Sequence, residues 1–242
     1  MSKKLTFKNV IVDLVAVVDR KRAVSSARYF KTGKGEYGEG DVFVGITVPV
    51  MRAVAKKYQL ISLGEIKKLL VSDIHEHRYV ALLILCLKYQ KEPAIHREIF
   101  EMYLVHTKFI NNWDLVDTSA RDIIGHYIWN HFITSKRRIF LTKLAKSRHL
   151  WERRISIVAT HYGIVRQEFE ETLVIADLLL KDTHDLIHKA TGWMLREVGK
   201  KDEGVLKKFL DGHAVVMPRT MLRYSLERFK PQERLKYMKM KA

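Results

Sequence analysis

The sequence is poor in residues that interrupt helices: 242 residues hold 4 Pro and 12 Gly. One cysteine excludes an intramolecular disulfide and a four-thiolate zinc site. That residue, Cys86, sits in the apolar run Ala81-Leu82-Leu83-Ile84-Leu85-Cys86-Leu87, where a buried structural thiol is expected. The apolar stretch behind Lys3 and Lys4 is interrupted by Asp13 and closed by charged residues 19–22, which fits neither a signal peptide nor a membrane span. No Gly-x-Ser-x-Gly elbow and no His-Glu-x-x-His occurs, so nucleophilic and zinc-dependent hydrolysis are unsupported. His75 and His77 point to different sides of a helix. His184 and His188 share a face but lack a recurring carboxylate, so solvated helix histidines are expected, with no metal and no cofactor.

Acidic charge is scarce too, with 27 Asp and Glu against 44 Lys and Arg, a formal net charge of +17. Such an excess suggests a polyanionic partner, most commonly nucleic acid. A membrane surface fits less well, because no segment is both amphipathic and concentrated in Lys and Arg. With 47% hydrophobic and 29% charged residues the composition is that of a folded chain. The expectation is a soluble, cytoplasmic, nucleoid-associated protein.

Apolar residues recur at helical spacing almost throughout, as in Val10, Leu14, Val17 and Val18, and clean period-2 strands are absent, so the chain reads as all-α. Ser62 with Glu65 reads as a capping box, and Pro49 after Thr47 opens a helix through Lys57. Further helices are expected at about 5–30, 74–91, 93–107, 111–130, 135–147, 150–164, 168–181, 184–199, 202–211 and 217–229. Segments opening at Ser72, Asn111, Ser147 and Thr183 each lead from a polar cap into an apolar helix, at spacings of 39, 36 and 36 residues. Helix pairs near this period build HEAT-like solenoids with a concave face, although a compact bundle fits the periodicity nearly as well. Residues 31–41 hold four of the glycines and read as a loop. Gly33-x-Gly35-x-x-Gly38 matches a dinucleotide fingerprint by letter, but lacks the preceding strand and following helix that the fingerprint requires.

The unusual stretch is Asn111-Asn112-Trp113-Asp114-Leu115-Val116-Asp117-Thr118-Ser119-Ala120-Arg121. On a helix Trp113 and Asp117 stand one turn apart, an indole beside a carboxylate. A core Trp113, with Asp117 paired to Arg121, satisfies the same spacing. Further on come Trp151-Glu152-Arg153-Arg154 and Gly192-Trp193-Met194-Leu195-Arg196, at corresponding places if the fold repeats. Between 136 and 154, Lys136, Arg137, Arg138, Lys143, Lys146, Arg148, Arg153 and Arg154 are opposed locally by Glu152 alone, a stripe suited to a phosphate backbone.

At these residues the sequence resembles the AlkD-type alkylpurine DNA glycosylases, built from HEAT-like repeats. The resemblance runs through Ser26-Ala27-Arg28-Tyr29-Phe30, Val44-Gly45-Ile46-Thr47-Val48-Pro49 with Arg52, Asn112-Trp113-Asp114-Leu115-Val116-Asp117, Trp151-Glu152-Arg153-Arg154 and Gly192-Trp193-Met194-Leu195-Arg196-Glu197. It implies one HEAT-like solenoid domain over 1–242 with a concave basic DNA-binding face; the Gly-rich loop at 31–41, longer than in the best-known member, is a departure from the family, and residues 230–242 read as a basic tail. By the same resemblance Asp117 is the catalytic carboxylate, and Trp113, Trp193 and Tyr29 form an aromatic cleft around the damaged nucleotide. Arg154 contacts the backbone beside it, with Arg153 as the alternative, and Arg196 and Arg148 are further DNA contacts. The implied partner is double-stranded DNA carrying N7-alkylguanine or N3-alkyladenine, met by a monomer, with the lesion left stacked rather than flipped into a pocket. The alternative is a non-catalytic HEAT-repeat protein that recognises damaged or branched DNA.

Overall fold

The computed structural model describes residues 5–240. Lys3 and Lys4, and the last two residues of the expected basic tail, lie outside them. Among the described residues the chain is all-α, and its one extended pairing is a parallel bridge between Val42 and Ile74. It divides after Ser119 into two compact units.

The first unit holds α1 (Phe7–Val15), α2 (Arg20–Tyr29), α3 (Val48–Lys57), α4 (Leu63–Leu70), α5 (His75–Lys91), α6 (His96–Val105) and α7 (Trp113–Ser119). The single helix expected over 5–30 is two. Asp19 breaks it, its backbone N–H donating to the Val44 carbonyl at 3.1 Å while its carboxylate caps α2 by accepting from the Arg22 N–H at 3.0 Å. Helix α4 starts after Ser62 as expected, but not through a capping box. The Ser62 side chain makes no capping bond, and the Glu65 carboxylate instead accepts the Phe7 N–H at 2.8 Å and binds Lys68. Helix α5 is the unit's core, apolar on most of its circumference, with Cys86 buried as expected. No residue of α2 is buried, and Arg20, Lys21 and Arg28 are exposed along it.

The second unit opens with a π-helical turn at Arg121–Gly125 and continues through α8 (His126–His131), α9 (Thr134–Ala145), α10 (Leu150–Ala159), α11 (His161–Val165), α12 (Glu170–Leu178), α13 (Asp185–Lys201), α14 (Glu203–His213), α15 (Arg219–Ser225) and α16 (Pro231–Lys239). The continuous helix expected over 111–130 therefore changes winding, with Gly125 N–H reaching back to Ala120 at 2.9 Å. Gly125 is required there, because a Cβ would strike the Ala159 carbonyl of α10. The helix expected over 150–164 turns at Thr160, whose hydroxyl donates to its own helix at Ile157 at 2.7 Å. Residues 231–239, expected as a basic tail, form α16, started by Pro231 and held by Tyr237 on Asp211 at 2.7 Å.

The helical repeat is written in a recurring turn. Ahead of α5 the Ser72 hydroxyl accepts the Ile74 N–H at 3.2 Å, and the Ser72 carbonyl accepts Arg78, six residues on, at 2.7 Å. Ahead of α10, Ser147 accepts the His149 N–H at 3.0 Å and its carbonyl accepts Arg153, again six residues on, at 3.1 Å. Ahead of α13, Asp182 plays the same part for the His184 N–H at 2.8 Å and for the His188 imidazole at 2.5 Å. His184 and His188, expected as solvated, thus stitch a turn: His184 Nδ1 also caps α13 by accepting the Leu186 N–H.

Helix α13 lies so close on α15 that a Cβ at Gly192 would meet the Met221 carbonyl and the Tyr224 Cβ. The methyl group of Gly192→Ala has no room without moving backbone, so the variant is expected to lose about 1–3 kcal/mol of stability in a urea titration. An unchanged midpoint would show that the two helices separate freely.

Candidate active site

In the first unit the α7 motif meets the end of α2. Trp113 opens α7, half-buried, its backbone N–H accepted by the Asn112 side chain at 2.8 Å. Phe30 stacks on the Trp113 ring at 5.3 Å, and Tyr29 meets it edge-on at 6.1 Å. Tyr29 is 66% exposed, so this aromatic surface has a face open to solvent. Asp117 stands half-buried one turn after Trp113, and its charge adds to the burial that holds the Tyr103 phenol protonated. The structure thus brings Tyr29, Trp113 and Asp117 of the sequence-derived set into one region.

Behind the rings is a cluster that sequence reasoning missed. Phe43 stacks on Phe30 at 4.8 Å, and the His75 imidazole stacks on Phe43 at 4.3 Å. His75, 2% exposed, is hydrogen-bonded through Nδ1 to Asp41 and through Nε2 to Asp114, each at 2.8 Å. Arg78 pairs with the other Asp41 oxygen, and the Asn112 amide donates to Asp41 at 3.3 Å. Burial alone would lower the imidazole pKa, but the Asp114 carboxylate, and Asp41 after it, push it up to about 9. Burial works to raise Asp41, yet His75 and Arg78 hold it below the ordinary carboxylate value. Next along α5, the buried Glu76 carboxylate accepts the N–H groups of Val44, Gly45 and Ile46 at 3.1, 2.7 and 3.3 Å. Gly45 has φ of 84° and touches the Asp19 carbonyl, a place no side chain fits. The available signal was four consecutive polar residues, His75 to Arg78, heading an otherwise apolar helix.

In the second unit Trp193 is half-buried on α13, its indole N–H donating to Glu197 at 3.1 Å and its ring 6.2 Å from His161. His161 is held below the ordinary imidazole value by burial and by Arg121. Arg196 is bound by Glu197 and Glu227. Arg153 pairs with Asp182 at 2.6 Å, and Arg154, 5% exposed, donates to the Leu186 carbonyl at 2.6 Å. Arg148 is exposed. The basic stripe is also less charged than its own sequence indicates. Arg138 pairs with Glu170 at 2.7 Å, and Arg137 is buried beside Glu171, its guanidinium 4.4 Å above the Trp129 ring. Lys136, Lys143, Lys146 and Arg148 are the exposed cations of this stretch. Trp151 is core. Tyr79, Arg154 and Lys189 each follow the first residue of the recurring turn by seven positions. No group of three His, Cys, Asp or Glu side chains suited to a metal ion occurs among the described residues. Nor is any described helix long and apolar enough to cross a membrane.

A family model described as DNA alkylation repair enzyme matches residues 10–229. The fold is similar to a protein of Enterococcus faecalis described as a predicted DNA alkylation repair enzyme, with a TM-score of 0.67 and 16% identity over 88% of this chain and 97% of that one. It is also similar to smu.31 from Streptococcus mutans UA159, with a TM-score of 0.50 and 19% identity over 79% of this chain and 91% of that one. No curated protein matches.

Because the His75 imidazole is raised from 6.5 to about 9 in the folded chain, it contributes stability that is complete below pH 6.5 and disappears as pH rises through about 9. Urea midpoints measured from pH 6 to 10 are expected to fall across that window in the wild type and to fall less in His75→Gln. Parallel curves would mean that His75 is not charged in the native state.

Proposed function

This chain belongs to the DNA alkylation repair enzyme family, and we propose that it is a glycosylase hydrolysing the N-glycosidic bond of N7-alkylguanine and N3-alkyladenine in duplex DNA. The observation that carries this reading is the pairing on α7 of Trp113, edged by the exposed Tyr29, with Asp117 one turn away.

A purine alkylated at N3 or N7 is already cationic, so it departs as a neutral base without a strong general acid. As the bond between the base nitrogen and C1′ breaks, its electron pair leaves with the base and the sugar becomes oxocarbenium-like. A fixed Asp117 carboxylate stabilises that charge and orients a water whose oxygen bonds to C1′, the water proton passing to the carboxylate or to solvent. The products are free alkylpurine and an abasic site. Electron-rich rings at Trp113 and Tyr29 favour a cationic nucleotide by cation–π attraction, and the Trp193 indole of the second unit is assigned a DNA contact of the same kind. The reading also has the base stay in the duplex stack, since an open aromatic surface asks less of lesion shape than an enclosing pocket. Among the arginines, Arg148 is the one we assign first to phosphate; Arg153, Arg154 and Arg196 hold protein partners that a phosphate would have to replace. A monomer acting in the cytoplasm on nucleoid DNA completes the proposal.

Free-base release from a duplex containing one N7-methylguanine, corrected for spontaneous depurination, tests it. Wild type is expected to release the base, and Asp117→Asn to do so about 10²-fold more slowly or less with duplex affinity kept. Tight binding without release by either protein would replace the glycosylase with a DNA-binding scaffold of the same fold. For Arg148→Ala, the expected result is a salt slope of duplex binding shallower by about one, with the melting temperature unchanged.

A further inference from the structure

The reaction proposed above uses Trp113 and Asp117 but not the buried cluster of Asp41, His75 and Asp114 behind them. We propose that His75 is a positioning residue: joined to Asp41 on one ring nitrogen and to Asp114 on the other, it fixes the head of α7 and so holds Trp113 and Asp117 in place. The inference rests on the glycosylase reading for its kinetic consequence only.

A neutral imidazole carries one N–H, and ionised carboxylates only accept. Both of the 2.8 Å bonds can therefore be hydrogen bonds only while the ring carries both protons. The surroundings suit that state. Asp41 faces the ring from the end of the Gly-rich loop and Asp114 from the first turn of α7, while Arg78 on His75's own helix balances the second carboxylate. The other ionisable neighbours on α5 turn elsewhere, Glu76 to the amides of Val44, Gly45 and Ile46 and His77 to the Ser72 hydroxyl. The faces packed on the imidazole are the rings of Phe43 and Phe30.

Asp114 adjoins Trp113 and lies one turn before Asp117. If the ring loses its Nε2 proton, a lone pair meets the Asp114 carboxylate and the two repel. The head of α7 then keeps Asn112 to Asp41 as its remaining tie to the loop end that these hydrogen bonds describe. Since a displacement of roughly 1 Å can cost about 10²-fold in rate, a small shift of α7 is sufficient to matter.

Two measurements test the proposal. In single-turnover excision from pH 7 to 10, the wild-type rate is expected to fall as pH passes about 9, with duplex affinity unchanged. In Asp114→Asn the new amide donates to the neutral ring, so the alkaline fall disappears, whereas His75→Gln is slower by roughly ten- to a hundredfold at neutral pH. A wild-type rate in His75→Gln, or an alkaline fall that persists in Asp114→Asn, overturns the inference and leaves the glycosylase reading standing. The second measurement needs no activity. The Trp113 indole N–H resonance, assigned with Trp113→Phe, is expected to shift with the His75 imidazole titration in the wild type and to stay still in Asp114→Asn. An indole indifferent to that titration overturns the inference even if the wild type releases no base, the result that would sink the glycosylase reading separately.

Discussion

A carboxylate withdrawn from water must find both charge and hydrogen bonds inside the protein, and at Asp41 that requirement organises the first unit. Its partners come from separate places in the chain: His75 and Arg78 from α5, Asn112 from just ahead of α7. Once they are satisfied, the end of the Gly-rich loop, the head of the core helix and the start of the Trp-Asp motif cannot move independently. A buried ion pair of this kind adds little net stability over a well-packed apolar alternative. Removing one partner nevertheless leaves a stranded charge, at a cost of about 3–5 kcal/mol. It therefore serves better as a specifier of geometry than as a source of stability. The aromatic surface of Tyr29, Phe30 and Trp113 rests on it through Phe43.

In the second unit charge is managed differently. The basic run at 136–154 brings Arg137 and Arg138 onto the acids that open α12, and Arg153 onto Asp182. Part of this run's positive charge is thus internal structure, Arg154 being buried as well, and Lys136, Lys143, Lys146 and Arg148 are its exposed cations. The recurring turn explains why Arg153 is committed: its place in the repeat is that of Arg78 and His188, a side chain returning to the carbonyl six residues earlier.

Much of this was legible in the sequence. Period-3.6 apolar residues mark an all-α chain, the glycine density at 31–41 marks a loop, and Trp113 with Asp117 reads as an indole and a carboxylate one turn apart, a spacing that a core Trp and a paired Asp satisfy equally. What was not legible depends on partners far along the chain. The polar run His75 to Arg78 marks the head of α5, but the part His75 plays depends on Asp41 and Asp114, 34 and 39 positions away. The helix break at Thr160 escapes a periodicity argument, since hydrophobic spacing continues through it and its hydroxyl bonds to nearby backbone; at Asp19 the charged run 19–22 closes the apolar stretch, and Asp19 caps the helix that follows. Glu65 shows the opposite error: a local capping pattern is present, but the carboxylate finds a better donor at Phe7. Pro231 was a usable helix-start signal hidden under basic residues that read as a tail.

The proposed reaction breaks the bond between a damaged base and its sugar. Mass spectrometry of a lesion-bearing DNA strand after incubation with the protein tests it most directly. The expected product is a strand that has lost the whole alkylated purine and gained a hydroxyl at C1′, with its phosphodiester backbone intact. A strand of unchanged mass, or one that has lost only the alkyl group, would contradict it.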